Sequence, residues 1–303
     1  MSTPADAYVR RGPVPRDGTH SPRFQLPAAS VTDALDLDAH TPPFTLLRGR
    51  GVTLRNGSIR LPAGRMLLVE GDVALHGVSV VGGGAADPAT LKSAPLVFVS
   101  QGTVSMEGVT VGGNQQGHGV GVGMRGTLEL RDCELSNNHS SGLVVRGTTA
   151  AVTARRCRFD QNGQDGARVS EGASATFEDC EFARNHGIGL GVGHVATVVC
   201  ASACTAERNG YGYVAHSGAD VRFEGCRASN NAHGVHATDA TTKAHVTGGA
   251  FASNREGLHV SQGAEVPLCP TCSPLQVYVH FSNSWQVLGG GLALVSAACV
   301  ACR

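Results

Sequence analysis

The sequence predicts an all-β fold: one right-handed parallel β-helix of about nine stacked coils, with an N-terminal arm and cap and a C-terminal cap. Three observations carry this. A segment repeats about every 23 residues, an asparagine recurs in step with it, and apolar residues alternate with polar ones inside each repeat.

The repeat aligns Leu128 to Leu135, Val152 to Phe159 and Ala175 to Phe182, each with a cysteine at the same place. The frame continues at Val199 to Cys204, Val221 to Cys226 and Ala244 to Gly249. Upstream it fits Val52 to Gly57, Val73 to Val78 and Val104 to Val109. Five residues after the cysteine position stand Asn114, Asn138, Asn162, Asn185, Asn209, Asn231 and Asn254, separated by 24, 24, 23, 24, 22 and 23 residues. Three or four residues further on come Gly117, Gly142, Gly166, Gly189, Gly212, Gly234 and Gly257, each followed by a short apolar strand. About 23 residues make two or three short strands and their turns, one coil, and the next coil lies about 4.8 Å above it. An asparagine at a turn tolerates a left-handed backbone and can hydrogen-bond to the amide above it, forming a structural ladder. Glycine lets the chain turn back without a Cβ clash.

The alternation assigns Leu130, Ala154, Phe177, Ala201, Phe223 and Val246 to one inward row, large and small in turn. Cys133, Cys157, Cys180, Cys204 and Cys226 form a second row of buried free thiols. Outward rows read Glu134, Arg158, Glu181, Thr205, Arg227; then Asp132, Arg156, Asp179; then Arg131, Arg155, Glu178. Opposite charges mostly fall on adjacent coils, with Arg131 above Arg155 the exception. Between Val78 and Val109 the interval grows to 31 residues, and Gly82 to Pro88 reads as a loop leaving the solenoid.

Composition agrees. Glycine is frequent at 41 residues and aromatic residues make up 5%, so small and β-branched side chains must fill the core. Lys plus Arg and Asp plus Glu both number 24, leaving no net charge to attract nucleic acid or an acidic membrane. The first two dozen residues hold no apolar secretory core, and Val287 to Ala301 is too short and too glycine-rich to span a bilayer. A cytoplasmic location with free thiols is expected.

Three regions follow: residues 1–44 as disordered arm and N-terminal cap, 45–262 as β-helix, and 263–303 as C-terminal cap. Ser30 to Asp38 carries a helix N-cap signal, and a short helix there is expected to close the first coil. The C-terminal cap contains Cys269, Cys272, Cys299 and Cys302 as two Cys-x-x-Cys pairs, a set able to bind a structural zinc ion. Free thiols and disulfides are the alternatives.

The spaced Cys-x-[Leu/Phe]-x-x-Asn-x-x-x-Gly units, as in Cys133 to Gly142 and Cys157 to Gly166, resemble the parallel β-helix repeats of the pectin-lyase-like superfamily over residues 45 to 262. That resemblance implies the fold. It leaves function open among polysaccharide lyases and glycoside hydrolases, epimerases, viral tailspikes and non-catalytic recognition modules. Gly117-His118-Gly119 looks like the Gly-His-Gly segment of polygalacturonases, which implies a catalytic role for His118. The preceding coil, however, offers Gly112-Gly113-Asn114-Gln115 without the paired aspartates of such enzymes, and Arg146 follows without a companion lysine. Asp160, Asp165 and Asp179 fall on different faces and make no calcium site. His118 therefore reads as a turn residue. His236 and His259 occupy equivalent outward positions on adjacent coils, in the row of Arg168, where an anion or a transition metal can bind; inert surface histidines are the plainer reading.

The sequence thus points to a non-catalytic β-helix scaffold presenting a flat face to a protein or glycan partner, with no catalytic residue assigned. The competing reading is a polysaccharide-active lyase or glycoside hydrolase. A trimeric surface-fibre module is a third.

Overall fold

A computed structural model describes residues 65–82 and 94–267 continuously, and strand segments at 8–11, 24–25, 35–36, 44–61, 278–281 and 284–287. The chain winds as a parallel β-solenoid of about nine turns, and the described residues contain no helix. Most coils contribute one strand to each of three parallel sheets.

Sheet I stacks Val120–Val122, Leu143–Arg146, Ala167–Ser170, Ile188–Gly193, Tyr211–His216, His233–Thr238, Glu256–Ser261 and Tyr278–Phe281. Sheet II stacks Gly126–Arg131, Ala151–Arg155, Ser174–Glu178, Val198–Ser202, Asp220–Glu224 and Lys243–Thr247. Sheet III stacks Thr110–Gly112, Glu134–Ser136, Arg158–Asp160, Glu181–Ala183, Thr205–Glu207 and Arg227–Ser229. The first coils pass through their corners as the longer strands Phe44–Leu61, Met66–Gly82 and Val97–Glu107.

Register follows the repeat residue for residue. Ala154 pairs with Leu130 and Phe177, Ala201 with Phe177 and Phe223, and Phe223 with Val246. All six are buried, as the inward row requires. Upstream, Val52, Val73, Val104 and Leu128 continue one column. Core aromatics stack along the axis: the rings of Phe159 and Phe182, on adjacent coils, lie 5.0 Å apart and nearly parallel.

Two corners repeat in every coil. Where sheet III turns into sheet I, the asparagines form a buried column. The Oδ1 of Asn162 accepts from the backbone N–H of Asn138 at 3.2 Å and from its Nδ2 at 3.0 Å. The same pair of bonds joins Asn162 to Asn185, Asn185 to Asn209, Asn209 to Asn231, and Asn231 to Asn254. The second amide hydrogen goes to a carbonyl one coil back, for example Asn185 Nδ2 to Phe159 O at 3.0 Å. Every polar atom of an interior member is satisfied, which a buried amide requires.

Two details of this corner differ from the expectation. The left-handed residue is not the ladder asparagine but the one before it: Asn137, Gln161, Arg184, Arg208, Asn230 and Ser253. That turn rotates the asparagine side chain inward. The glycine column also begins at Gly119, not Gly117. A Cβ on Gly119 would stand 2.7 Å from Gly142 O and 2.8 Å from Asn138 Nδ2, and the same conflict recurs up the column. These glycines leave room for the ladder amide and the next coil's carbonyl; their φ values are ordinary.

Where sheet II turns into sheet III, the cysteines form the second column, buried and in the thiol form. Each S–H reaches a backbone carbonyl, as Cys180 Sγ does to Ala154 O and Glu178 O at 3.4 Å. Neighbouring thiols and then burial push Cys204 far up.

The helix expected over Ser30 to Asp38 is corrected at its centre. Leu35–Asp36 pairs in parallel with Ile59–Arg60 as a strand. Leu35, Asp36, Leu37 and Asp38 alternate apolar and acidic, a strand period that outweighs the N-cap signal. The rest of that segment, the loop expected over Gly82 to Pro88 apart from Gly82 itself, and Cys269, Cys272, Cys299 and Cys302 lie outside the described residues. No helix among the described residues is long and apolar enough to cross a membrane.

Candidate functional site

The outer faces of sheets II and III are occupied by their own side chains. On sheet II, Arg155 Nε meets Glu178 Oε2 at 3.0 Å. At the adjoining corner Arg156 binds Asp132 through both carboxylate oxygens at 2.7 Å, which holds that carboxyl below its ordinary range. On sheet III, Arg158 faces Glu181 at 3.7 Å, and Arg184 donates to the buried Asp160 at 2.6 Å. Each charge row read from the sequence thus holds one ion pair between adjacent coils, and Arg184–Asp160 is a further pair outside those rows. A shallow cleft of about 420 Å³ on sheet II lies between His76, Glu107, Glu129, Arg131 and Arg155. His76 is already paired to Glu107 at 3.1 Å and Arg155 to Glu178, so the cleft is largely self-neutralised.

Sheet I differs. Toward its N-terminal end, the His118 ring accepts the Ser141 N–H at Nδ1 (3.1 Å), and Asn114 Nδ2 donates to the His118 carbonyl at 2.7 Å. Burial, then the charges of Arg146 and Arg168, lower the imidazole to about 4, so it is neutral. Arg168 is anchored by Asp165 at 3.0 Å, whose other oxygen accepts the Ile188 N–H. Arg146 ends its strand exposed to solvent and has no carboxylate partner among the described residues.

Toward the C-terminal end, two columns of sheet I run side by side. One is Tyr211, His233, Glu256; the other is Val214, His236, His259, with position 280 next in register. Glu256 Oε2 lies 3.0 Å from His233 Nδ1 and 2.6 Å from His259 Nδ1. Ligand atoms of these three residues all lie within 4.8 Å of one another, the spacing of a metal-ligand set. The Tyr211 ring stacks on His233 at 5.0 Å and 11°, and the His236 ring meets His259 edge-on at 4.7 Å. Burial first, then neighbouring histidines, lowers His236 to about 4; burial also lowers His233 and His216. The His236 ring is therefore neutral at pH 7.

The affiliation follows from the coil. A family model described as a right-handed beta helix region matches residues 96–268, more than half of the chain. The chain belongs to the right-handed β-helix family. Among solved structures it is similar to the pectate lyase Pel9A, at 14% identity over 71% of this chain and 68% of that one, with a TM-score of 0.46. It is similar to the periplasmic alginate epimerase AlgG, at 13% identity over 80% and 78%, with a TM-score of 0.44. It is also similar to PfbA, a surface adhesin of Streptococcus pneumoniae, at 9% identity over 79% and 73%, with a TM-score of 0.30. These likenesses concern the coil architecture alone. No curated protein matches the sequence.

In this β-helix the ladder residues Asn114 to Asn254 are the wall of the corner beside sheet I, and they set its spacing. His118 is a turn residue held by that wall. The charges of Arg146 and Arg168 both lower the His118 ring, after burial. His236 and His259 are neighbours on one row, as read. Tyr211, His233 and Glu256 were missed. Their signal was present in Tyr211-Gly-Tyr-Val214, His233-Gly-Val-His236 and Glu256-Gly-Leu-His259, where both residues flanking the glycine-apolar pair face outward in successive coils.

Proposed function

We propose that this β-helix is a non-catalytic binding scaffold that takes an extended carboxylated glycan along the outer face of sheet I. The single observation that carries the reading is Arg146: an exposed cation with no carboxylate partner among the described residues, on the strand that pairs with that of Arg168. On the other two faces several arginines are paired, as Arg155 is with Glu178 and Arg158 with Glu181. A ladder of nine coils offers a track of about 40 Å, suited to a polymer rather than a small metabolite. Tyr211 adds a part-exposed ring on which a sugar can pack.

Binding is favoured over hydrolysis by the placement of carboxylates. Asp165 and Glu256, the buried carboxylates beside this face, belong to coils four steps apart, about 19 Å. Paired acid and base act at about 6.5–9.5 Å. Each is also engaged by a neighbour, Asp165 by Arg168 and Glu256 by His259. The six free thiols among the described residues support a reducing, cytoplasmic setting, and we assign Cys269, Cys272, Cys299 and Cys302 to a structural zinc clip in the C-terminal cap.

The test is a binding titration with polygalacturonate and alginate oligomers against neutral dextran, at low and high salt. The expected result is salt-sensitive binding of the anionic chains, weakened at least tenfold by Arg146→Ala. Equal binding of dextran, or no effect of Arg146→Ala, would overturn the reading. Release of shortened or unsaturated sugars would favour the lyase or hydrolase instead.

A further inference from the structure

We propose that His233, Glu256 and His259 form a site for one divalent transition-metal ion, with zinc the best fit, on the outer face of sheet I. The site stands independently of the glycan reading.

Its frame is rigid. Positions 233 and 256 pair directly across two strands, and so do 236 and 259, so the ligands are spaced by the coil repeat. Both strands adjoin the asparagine column, whose bonds fix that spacing. Loops contribute nothing to the set. A site held on strands loses little entropy when an ion arrives.

Its chemistry is convergent. Two ring nitrogens and a carboxylate oxygen meet within 4.8 Å, with Glu256 Oε2 at 3.0 and 2.6 Å from the two Nδ1 atoms. An ion bonded to nitrogen and oxygen at about 2.0–2.2 Å needs donors about 3–3.5 Å apart. Small side-chain rotations reach that spacing. The hydrogen-bond account points the same way. His233 Nδ1 is shielded from water, and although Glu256 lies at 3.0 Å the geometry makes no hydrogen bond. A buried ring nitrogen left in this state is rare. An ion bound at this nitrogen would satisfy it.

The surroundings suit a metal as well. Tyr211 stacks on His233, and the His236 ring packs edge-on against His259, which orients both ligand rings. The two histidines remain partly open to solvent, at 17% and 18%. A fourth position is thus left for water or an oxygen of a bound partner. Two imidazoles and one carboxylate favour zinc, cobalt, nickel or copper over calcium and magnesium, which prefer all-oxygen shells.

The experiment uses the full-length chain, stripped with chelator, then titrated with Zn2+ by calorimetry and with Co2+ by visible spectroscopy. A background with Cys269, Cys272, Cys299 and Cys302 changed to serine removes the competing thiols. One equivalent of Zn2+ is expected in that background, with affinity at least tenfold weaker in His259→Ala and in Glu256→Gln. His245→Ala, on sheet II, should leave it unchanged. If the serine background folds poorly, the wild-type Co2+ spectrum decides: nitrogen- and oxygen-ligand bands free of thiolate charge transfer must appear and must vanish in His259→Ala. Zinc binding untouched by both substitutions, or a Co2+ spectrum of thiolate type alone, would overturn the proposal.

Discussion

The two repeating corners solve the same turn with opposite chemistry. Both place a left-handed residue just before an inward one: Gln161 before Asn162, and Arg156 before Cys157. At the cysteine corner the inward side chain is nearly apolar and makes one weak bond to a carbonyl. The thiol finds a carbonyl within its own coil as well as in the preceding one, so it does not depend on its neighbours. At the asparagine corner the inward side chain is fully polar, and its neighbours above and below must complete it. The difference teaches that regular stacking is enforced at one corner and merely permitted at the other. A buried amide is tolerable only in an unbroken column, so the column makes the coil spacing uniform.

Breaking the asparagine corner should have the largest effect. Asn185→Ala leaves the two Asn162 donors and Phe159 O without this partner, while Asn209 Oδ1 keeps the backbone N–H of position 185. Each unsatisfied buried group costs about 1–3 kcal/mol, so a loss of about 4 kcal/mol is expected from the urea midpoint. Cys180→Ala removes one buried sulfur and no obligatory partner; about 1 kcal/mol is expected in the same measurement. If the two variants proved equally costly, the distinction between the corners would fail. Glu178→Ala should be smallest, at about 0.5 kcal/mol or less, because its pair with Arg155 is half exposed on both sides. Raised salt should erase that last difference while leaving the Asn185→Ala loss intact.

Much of this was legible in the sequence because a solenoid writes its contacts at constant spacing. Leu130, Ala154 and Phe177 could be placed in one column, and Glu134, Arg158 and Glu181 in another, by alignment alone. What failed was local conformation. Gly117 and Gly119 are both near the expected position and both are closely packed, Gly117 against the Ala94 carbonyl; the pairing of Val120 with Leu143 is what aligns Gly119 with Gly142. Asparagine tolerates the left-handed turn, yet the turn falls on its neighbour, because the amide has to point inward. The His233, Glu256, His259 cluster was half seen. It joins two adjacent columns, and a reading of one row at a time finds His236 and His259 without Glu256.

The central claim is that successive coils lie directly upon one another at one fixed spacing. Spin labels on keto-bearing amino acids at positions 110 and 227, which spare the native cysteines, measure it. Thr110 and Arg227 sit on the outer face of sheet III in one register column, five coil steps apart. The backbone separation should be about 24 Å, with a narrow label–label distribution near it. A broad distribution, or one centred far beyond that value, would contradict the stack.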